Sequence, residues 1–142
     1  MNRHERRRQE KEVRRRANTK GAVAGSMVDD QLTADAFGAA LALQQAGRLA
    51  EAERAWKNLL VTLPNHEGVN VNLATVLWRL GRLDDAATAC RRAIAANRDM
   101  AEGYAMLGVI LEAQGDNQGA VVNLEQAVHL RDDLVTAWVQ LA

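Results

Sequence analysis

The chain has 142 residues, 48% of them apolar but only 4% aromatic, which allows one domain with a core built on Ala, Leu and Val. A single cysteine, Cys90, rules out an intrachain disulfide and a cysteine-based metal site. No run of 18 apolar residues is present and no signal-peptide-length apolar stretch follows the basic start, so a cytoplasmic protein without a membrane span is expected. The formal net charge of zero hides a division. Residues 1–20 carry nine Lys or Arg against three Glu, while the remaining 122 carry nine basic and fifteen acidic side chains.

In chain order, residues 1–28 read as a basic tail and linker. Val13 and Ala17 are the only apolar residues between Asn2 and Lys20, so no helical face can be buried there. Pairs such as Glu10–Arg14 and Glu12–Arg16 leave a solvated helix possible, and the run Arg14–Arg15–Arg16 opposes it. Residues 21–26 (GAVAGS) are small and uncharged, as in a linker. Arg6, Arg7, Arg8, Lys11, Arg14, Arg15 and Arg16 form a candidate surface for an anionic partner. It has no aromatic interleaving and no reader fold, so such binding is expected to be electrostatic and strongly salt-dependent, with nucleic acid a minor possibility among the partners.

Residues 29–142 read as a helical domain. A first helix is expected from about Gln31 to Ala46, with Leu32, Ala36, Ala39, Ala40 and Leu43 inward, stopped at Gly47. A second, about Leu49 to Leu63, turns Ala52, Ala55, Trp56, Leu59 and Leu60 inward and ends before Pro64, with Asn65 as a candidate cap for the next. Val69, Leu73, Val76, Leu77 and Leu80 form the next stripe, and Gly81 the next corner. The return helix from Leu83 to Ala96 carries Ala86, Ala87, Cys90, Ala93 and Ile94. Asp99 and Glu102 have the spacing of a capping box for a third hairpin. Its stripes are Tyr104, Leu107, Gly108, Ile110 and Leu111, then Ala120, Val121, Leu124, Ala127 and Val128, around Gly115. Asp133 would cap a last, short segment, 135–142, bearing Trp138 and Leu141.

These elements recur. Gly47, Gly81 and Gly115 stand 34 residues apart; Leu43, Leu77 and Leu111 precede them by four, and Ala52, Ala86 and Ala120 follow by five. Twelve after each glycine come Leu59, Ala93 and Ala127. Helical periodicity with this repeat length marks a helical-hairpin solenoid. The units run 33–66, 67–100 and 101–134, with a partial fourth at 135–142. The apolar last segment is expected either to continue into further repeats of a longer chain or to form an oligomer contact.

The pattern resembles the tetratricopeptide repeat. Counting from Thr33, Glu67 and Ala101, the seventh and eighth positions are Ala39–Ala40, Leu73–Ala74 and Leu107–Gly108. The eleventh is leucine and the twentieth alanine in all three units; the twenty-fourth is Trp56, Cys90 and Leu124. The family's proline at the thirty-second position survives as Pro64, with Arg98 and Asp132 replacing it elsewhere. The resemblance implies an all-α, right-handed superhelix of antiparallel helix pairs, three full repeats plus a partial fourth, its concave face lined by each first helix.

It also implies the residues of a peptide groove: Phe37, Leu41, Gln44 and Gln45 in the first unit, Val71, Asn72, Thr75, Trp78 and Arg79 in the second, and Met106, Val109 and Glu112 in the third. The large apolar members suit a peptide or helix ligand, unless some of them pack against a neighbouring unit or the N-terminal segment. Some chaperone-binding members clamp a carboxylate with first-helix Lys, Arg and Asn. Phe37, Leu41, Ala105 and Met106 stand at the matching positions, and Asn72 alone fits, so that clamp is not expected. Asn72 also matches the groove asparagine of repeat domains attached to protein O-glycosyltransferases.

No catalytic apparatus is expected. His4, His66 and His129 are far apart, no phosphate loop is present, and Asp29–Asp30, Asp84–Asp85 and Asp132–Asp133 sit where helix starts need carboxylates. Cys90 has a core position, and Arg91–Arg92 an outer one. No catalytic residue, cofactor or metal is therefore assigned. The functional expectation is a protein–protein interaction module. Its alternatives are the substrate-recognition region of a longer enzyme, such as a bacterial glycosyl- or sulfotransferase, or a repeat protein that self-associates through its basic tail or its C-terminal face.

Overall fold

A computed structural model describes residues 2–131, with the backbone alone for 17–29. The expected partial fourth unit with Asp132, Asp133, Trp138 and Leu141, and the side chain of Asp29, lie outside the described residues. Six helices form among those described: α1 (Arg3–Gln45), α2 (Leu49–Thr62), α3 (Glu67–Arg79), α4 (Leu83–Ala96), α5 (Ala101–Ala113) and α6 (Asn117–Leu130). They contain no strand. The chain divides into two compact units, Met1–Asp35 and Ala36–Ala142.

The first unit differs from the tail and linker read in the sequence. Helix α1 begins at Arg3 rather than near Gln31 and runs without interruption through residues 21–26. Its start is a reciprocal cap: Asn2 Oδ1 accepts from the Glu5 amide at 2.9 Å, and Glu5 Oε2 accepts from the Asn2 amide at 3.1 Å. Arg, Glu, Gln and Lys, which dominate the following turns, are strong helix formers. Arg16 pairs with Glu12 one turn away, at 2.9 Å.

In the second unit, Gly47, Gly81 and Gly115 adopt φ values of 77°, 78° and 87°, a left-handed conformation that costs any residue with a Cβ roughly 1–2 kcal/mol. The corners are identical in bonding. The residue after each glycine donates to the carbonyl of Leu43, Leu77 or Leu111, and the glycine itself to that of Gln44, Trp78 or Glu112. The return helices end alike too, with Leu63, Asn97 and Arg131 amides donating to the carbonyls of Leu59, Ala93 and Ala127. Thus the recurring leucine, glycine and alanine positions close three equivalent hairpins.

Within each hairpin the helices approach at small residues. Ala40 and Ala74 are fully buried, as are Ala52 and Ala86, and Ala120 is 4% exposed. Gly108 is tightest: a methyl group there would lie 2.7 Å from Leu124 Cγ and 3.2 Å from the Ala120 carbonyl oxygen. Around these contacts pack Leu73, Val76, Leu77, Leu107, Ile110 and Leu111, with Cys90 and Ala89 from α4.

Several local expectations are corrected. In α1, Leu32, Ala36 and Ala39 are exposed, and the inward residues are Phe37, Ala40, Leu41, Leu43 and Gln44. As the first element of the stack, α1 packs along one stripe only, and that stripe runs through Phe37, Ala40 and Gln44 at helical spacing. Leu80 and Val121 are also exposed, at 38% and 42%. His66, not Asn65, caps α3, its Nδ1 accepting from the Val69 amide at 3.3 Å. Asp99 and Glu102 form no capping box; Met100 occupies the cap position, and Glu102 instead pairs with Arg131 at the far end of the same hairpin.

Gly108→Ala is expected to lower stability by roughly 1–2 kcal/mol, overpacking outweighing the gain in helix propensity. Gly38→Ala in α1, where nothing lies within 4 Å, should leave stability unchanged or raise it by up to about 1 kcal/mol. Urea unfolding of both variants measures the difference.

Candidate peptide-binding face

Two contacts place the first helices of successive hairpins side by side. Arg79 Nη1 donates to the Gln44 carbonyl at 3.1 Å, joining α3 to the C-terminal turn of α1. That carbonyl lies in the negative end of the helix, where a guanidinium is favoured. Thr75 Oγ1, which also bonds the Val71 carbonyl, approaches Met106 Sδ at 3.6 Å and so joins α3 to α5. The backbone of Gln44 thus meets Arg79, and Thr75 meets Met106.

The remaining candidates divide by exposure. Trp78 is 37% exposed in the last turn of α3, beside exposed Arg79. Gln45 and Glu112 are exposed as well. Val71, Asn72, Thr75, Met106 and Val109 are half-buried, so each keeps part of its side chain at the surface. Leu41 is half-buried and packs on the core. Asn72 Nδ2 donates to the Gly68 carbonyl one turn back, at 2.8 Å.

Phe37 and Gln44 serve the interior. The Phe37 ring meets Trp56 edge-on, with centroids 4.8 Å apart and planes at 76°, and lies 6.2 Å from the His66 ring. Trp56 is fully buried, and its indole N–H donates to Gln44 Oε1 at 2.9 Å. A buried indole needs an acceptor, and a glutamine twelve residues earlier on the facing helix supplies it. That pairing was open to inference from Trp56 sitting at an inward position among alanines.

Behind this face, the second helices and the corners carry a charged seam. Glu53, with a side chain 14% exposed, accepts from Lys57 at 2.8 Å and also pairs with Arg82, which in turn bonds Asp85 at 2.9 Å. Gln114 Nε2 donates to Asp84 Oδ1 at 2.7 Å. The second and third corners therefore each grip the return helix of the preceding unit. The Lys57 ammonium, and after it the Arg82 guanidinium, hold the Glu53 carboxyl below its ordinary 4.5 against the opposing effect of burial.

Among the described residues, no three His, Cys, Asp or Glu side chains are grouped so as to hold a metal ion. His4 and His129 are exposed on α1 and α6, and His66 is committed to its cap. Burial pushes the Cys90 thiol up to about 12, with Arg91 acting weakly the other way, so its thiolate is suppressed. No helix among the described residues is long and apolar enough to cross a membrane.

Hairpins stacked in register, with their first helices sharing one face, define the class of helical-repeat interaction domains. More narrowly, the tetratricopeptide repeat family model matches residues 37–99 and again 71–133, two frames offset by one 34-residue unit. The chain belongs to the tetratricopeptide repeat family, whose members act generally as protein–protein interaction modules. No curated protein matches it.

Solved structures share the fold. One is the first tetratricopeptide domain of Spaghetti (RPAP3) bound to the HSP90 peptide SRMEEVD, at 20% identity and a TM-score of 0.74, over 77% of this chain and 86% of that one. A mutant of the O-GlcNAc transferase of Thermobaculum terrenum aligns at 28% identity and 0.74, over 77% of this chain but 21% of the enzyme. MamA aligns at 20% and 0.69, over 72% of this chain and 60% of that one. The chain thus spans less than two thirds of MamA and about a fifth of the transferase.

Gln44→Ala leaves the buried Trp56 N–H without an acceptor and should cost about 1–3 kcal/mol, whereas Gln45→Ala on the exposed neighbouring position should cost under about 0.5 kcal/mol; denaturant melts compare the two. Glu53→Gln should lower Tm at pH 7 by about 2–5 °C. A depressed carboxyl stabilises the fold when ionised, fully above 4.5 and progressively less as pH falls below it, so the gap between variant and parent should close in melts at pH 3–4.

Proposed function

We propose that the first-helix face binds an extended peptide or a helix through an apolar strip with polar edges, anchored on Trp78. The observation that carries this reading is Trp78 itself. Among the described residues it is the one aromatic side chain of the exposed large hydrophobics, and it stands beside Arg79 on the helix at the centre of the face. Val71, Met106 and Val109 extend the apolar strip across α3 and α5, while Gln45, Asn72 and Glu112 offer polar edges. Partly exposed aromatics flanked by Arg are what binding hot spots use.

The HSP90 peptide bound by the RPAP3 domain supports a peptide as ligand. The residues here favour a different chemistry from that acidic sequence. Phe37, Leu41, Ala105 and Met106 replace the cations and amides of a carboxylate clamp, and Asn72 spends one amide hydrogen on Gly68. The ligand is therefore proposed to be mainly apolar, with backbone or neutral polar groups meeting Asn72 and Gln45.

A second reading rests on the 28% identity to the O-GlcNAc transferase. In this reading the first-helix face of the present chain is the substrate-recognition region of a longer enzyme, and Asn72 holds the backbone of the polypeptide to be modified.

Peptides selected from a random display library against the intact chain should bind with Trp78→Ala weakening affinity by about 30-fold, read by calorimetry, with Tm unchanged. Selection that yields no peptides, or peptides indifferent to Trp78→Ala, Val71→Ala and Met106→Ala alike, would remove the reading.

A further inference from the structure

The N-terminal unit carries an arrangement that its composition conceals. At 3.6 residues per turn, Arg3, Arg7, Arg8, Lys11, Arg14 and Arg15 of α1 fall within an arc of about 140°. Glu5 and Glu12 lie outside that arc, Glu5 engaged with Asn2 and Glu12 with Arg16. Glu10 borders it. The acidic residues that dilute the charge in sequence are thus mostly turned away from the cations once the segment is helical, and residues 2–16 are exposed throughout. An open depression on this stretch is lined by Arg6, Arg7, Lys11 and Arg14 together with Glu10, among others.

We infer that this face of α1 is a non-specific binding surface for the phosphodiester backbone of nucleic acid. Three features select that partner. The stripe extends about 18 Å from Arg3 to Arg15, long enough to meet several successive phosphates, which recur every 3.4 Å along each strand of a duplex. Five of its six cations are arginine, whose planar fork pairs with phosphate oxygens in bidentate fashion. Val13 is the single aliphatic side chain of residues 2–16, so the helix has no apolar face to insert between lipid headgroups. No aromatic or base-reading pattern accompanies the cations, which makes the contact electrostatic and indifferent to sequence.

The test is fluorescence anisotropy of the intact chain with labelled 20-base-pair DNA and RNA duplexes of arbitrary sequence. Binding at 50 mM NaCl should weaken by roughly 10²–10³-fold at 200 mM, as about five neutralised phosphates require. Arg7→Glu combined with Lys11→Glu should lose at least tenfold at 50 mM, while Arg16→Gln, outside the arc, should change affinity less than twofold. Circular dichroism of each variant verifies that helix content is kept. A preference for RNA or DNA duplex identifies the source of the phosphates and supports the inference either way. Absence of binding at 50 mM, equal losses for both variants, or equally tight binding to phosphatidylserine-containing vesicles or to polyglutamate would overturn it.

Discussion

Helices α5 and α6 lie so close that Gly108 has no room for a methyl group between the Leu124 side chain and the Ala120 backbone. The other two hairpins place alanine at the positions corresponding to both Gly108 and Ala120. Everything else in the repeat domain depends on this approach. It lets short hairpins bury leucine and valine on both sides of the crossing, and it makes a core possible with almost no aromatic residues. Among the described residues Trp56 is the one large ring taken fully inside, and it has two provisions that the other units do without: the ring of Phe37 and the side-chain oxygen of Gln44.

Stacking then follows from contacts that nearly repeat the 34-residue period. Arg82 reaches back 29 residues to Glu53, and Gln114 reaches back 30 to Asp84, so the outer seam is polar and ionic. On the inner side, Arg79 reaches Gln44 and Thr75 reaches Met106. The two seams align the hairpins without consuming the residues between them. Trp78, Val71 and Val109 are left partly exposed because hairpin closure and stacking are already complete without them. A family whose units share a packing code can vary these positions freely, which is why fold and ligand are separable in such proteins.

The N-terminal stretch obeys a different logic. Residues 2–16 are exposed throughout, and their helix rests on a reciprocal cap, good helix formers and a one-turn ion pair. Those same local forces sort its charges by face. A segment that reads as a mixed, solvated run in one dimension becomes one-sided when wound.

How much of this was legible follows from the range of the interactions. The hairpins, their glycine corners, their small-residue crossings and the burial of Cys90 were all present in the sequence, because spacing along a helix and the need for glycine at positive φ are local rules repeated three times. The family resemblance supplied the face on which to look for a ligand. What the sequence could not decide was which side chains the stack would consume. Phe37 and Gln44 stand at groove positions by count, yet Trp56 on the facing helix draws both inward, an outcome set by contact across the hairpin rather than by register. His66 replaced Asn65 as a cap, and Glu102 left a capping spacing for Arg131, because the chain's path between helices determined which polar atoms came within reach. By itself, then, the sequence determined the repeat, its phase and most of its core, with Leu32, Ala36, Ala39, Leu80 and Val121 the exceptions. Only the tertiary structure decided which of the remaining residues stay at the surface, since exposure depends on neighbours that are distant along the chain.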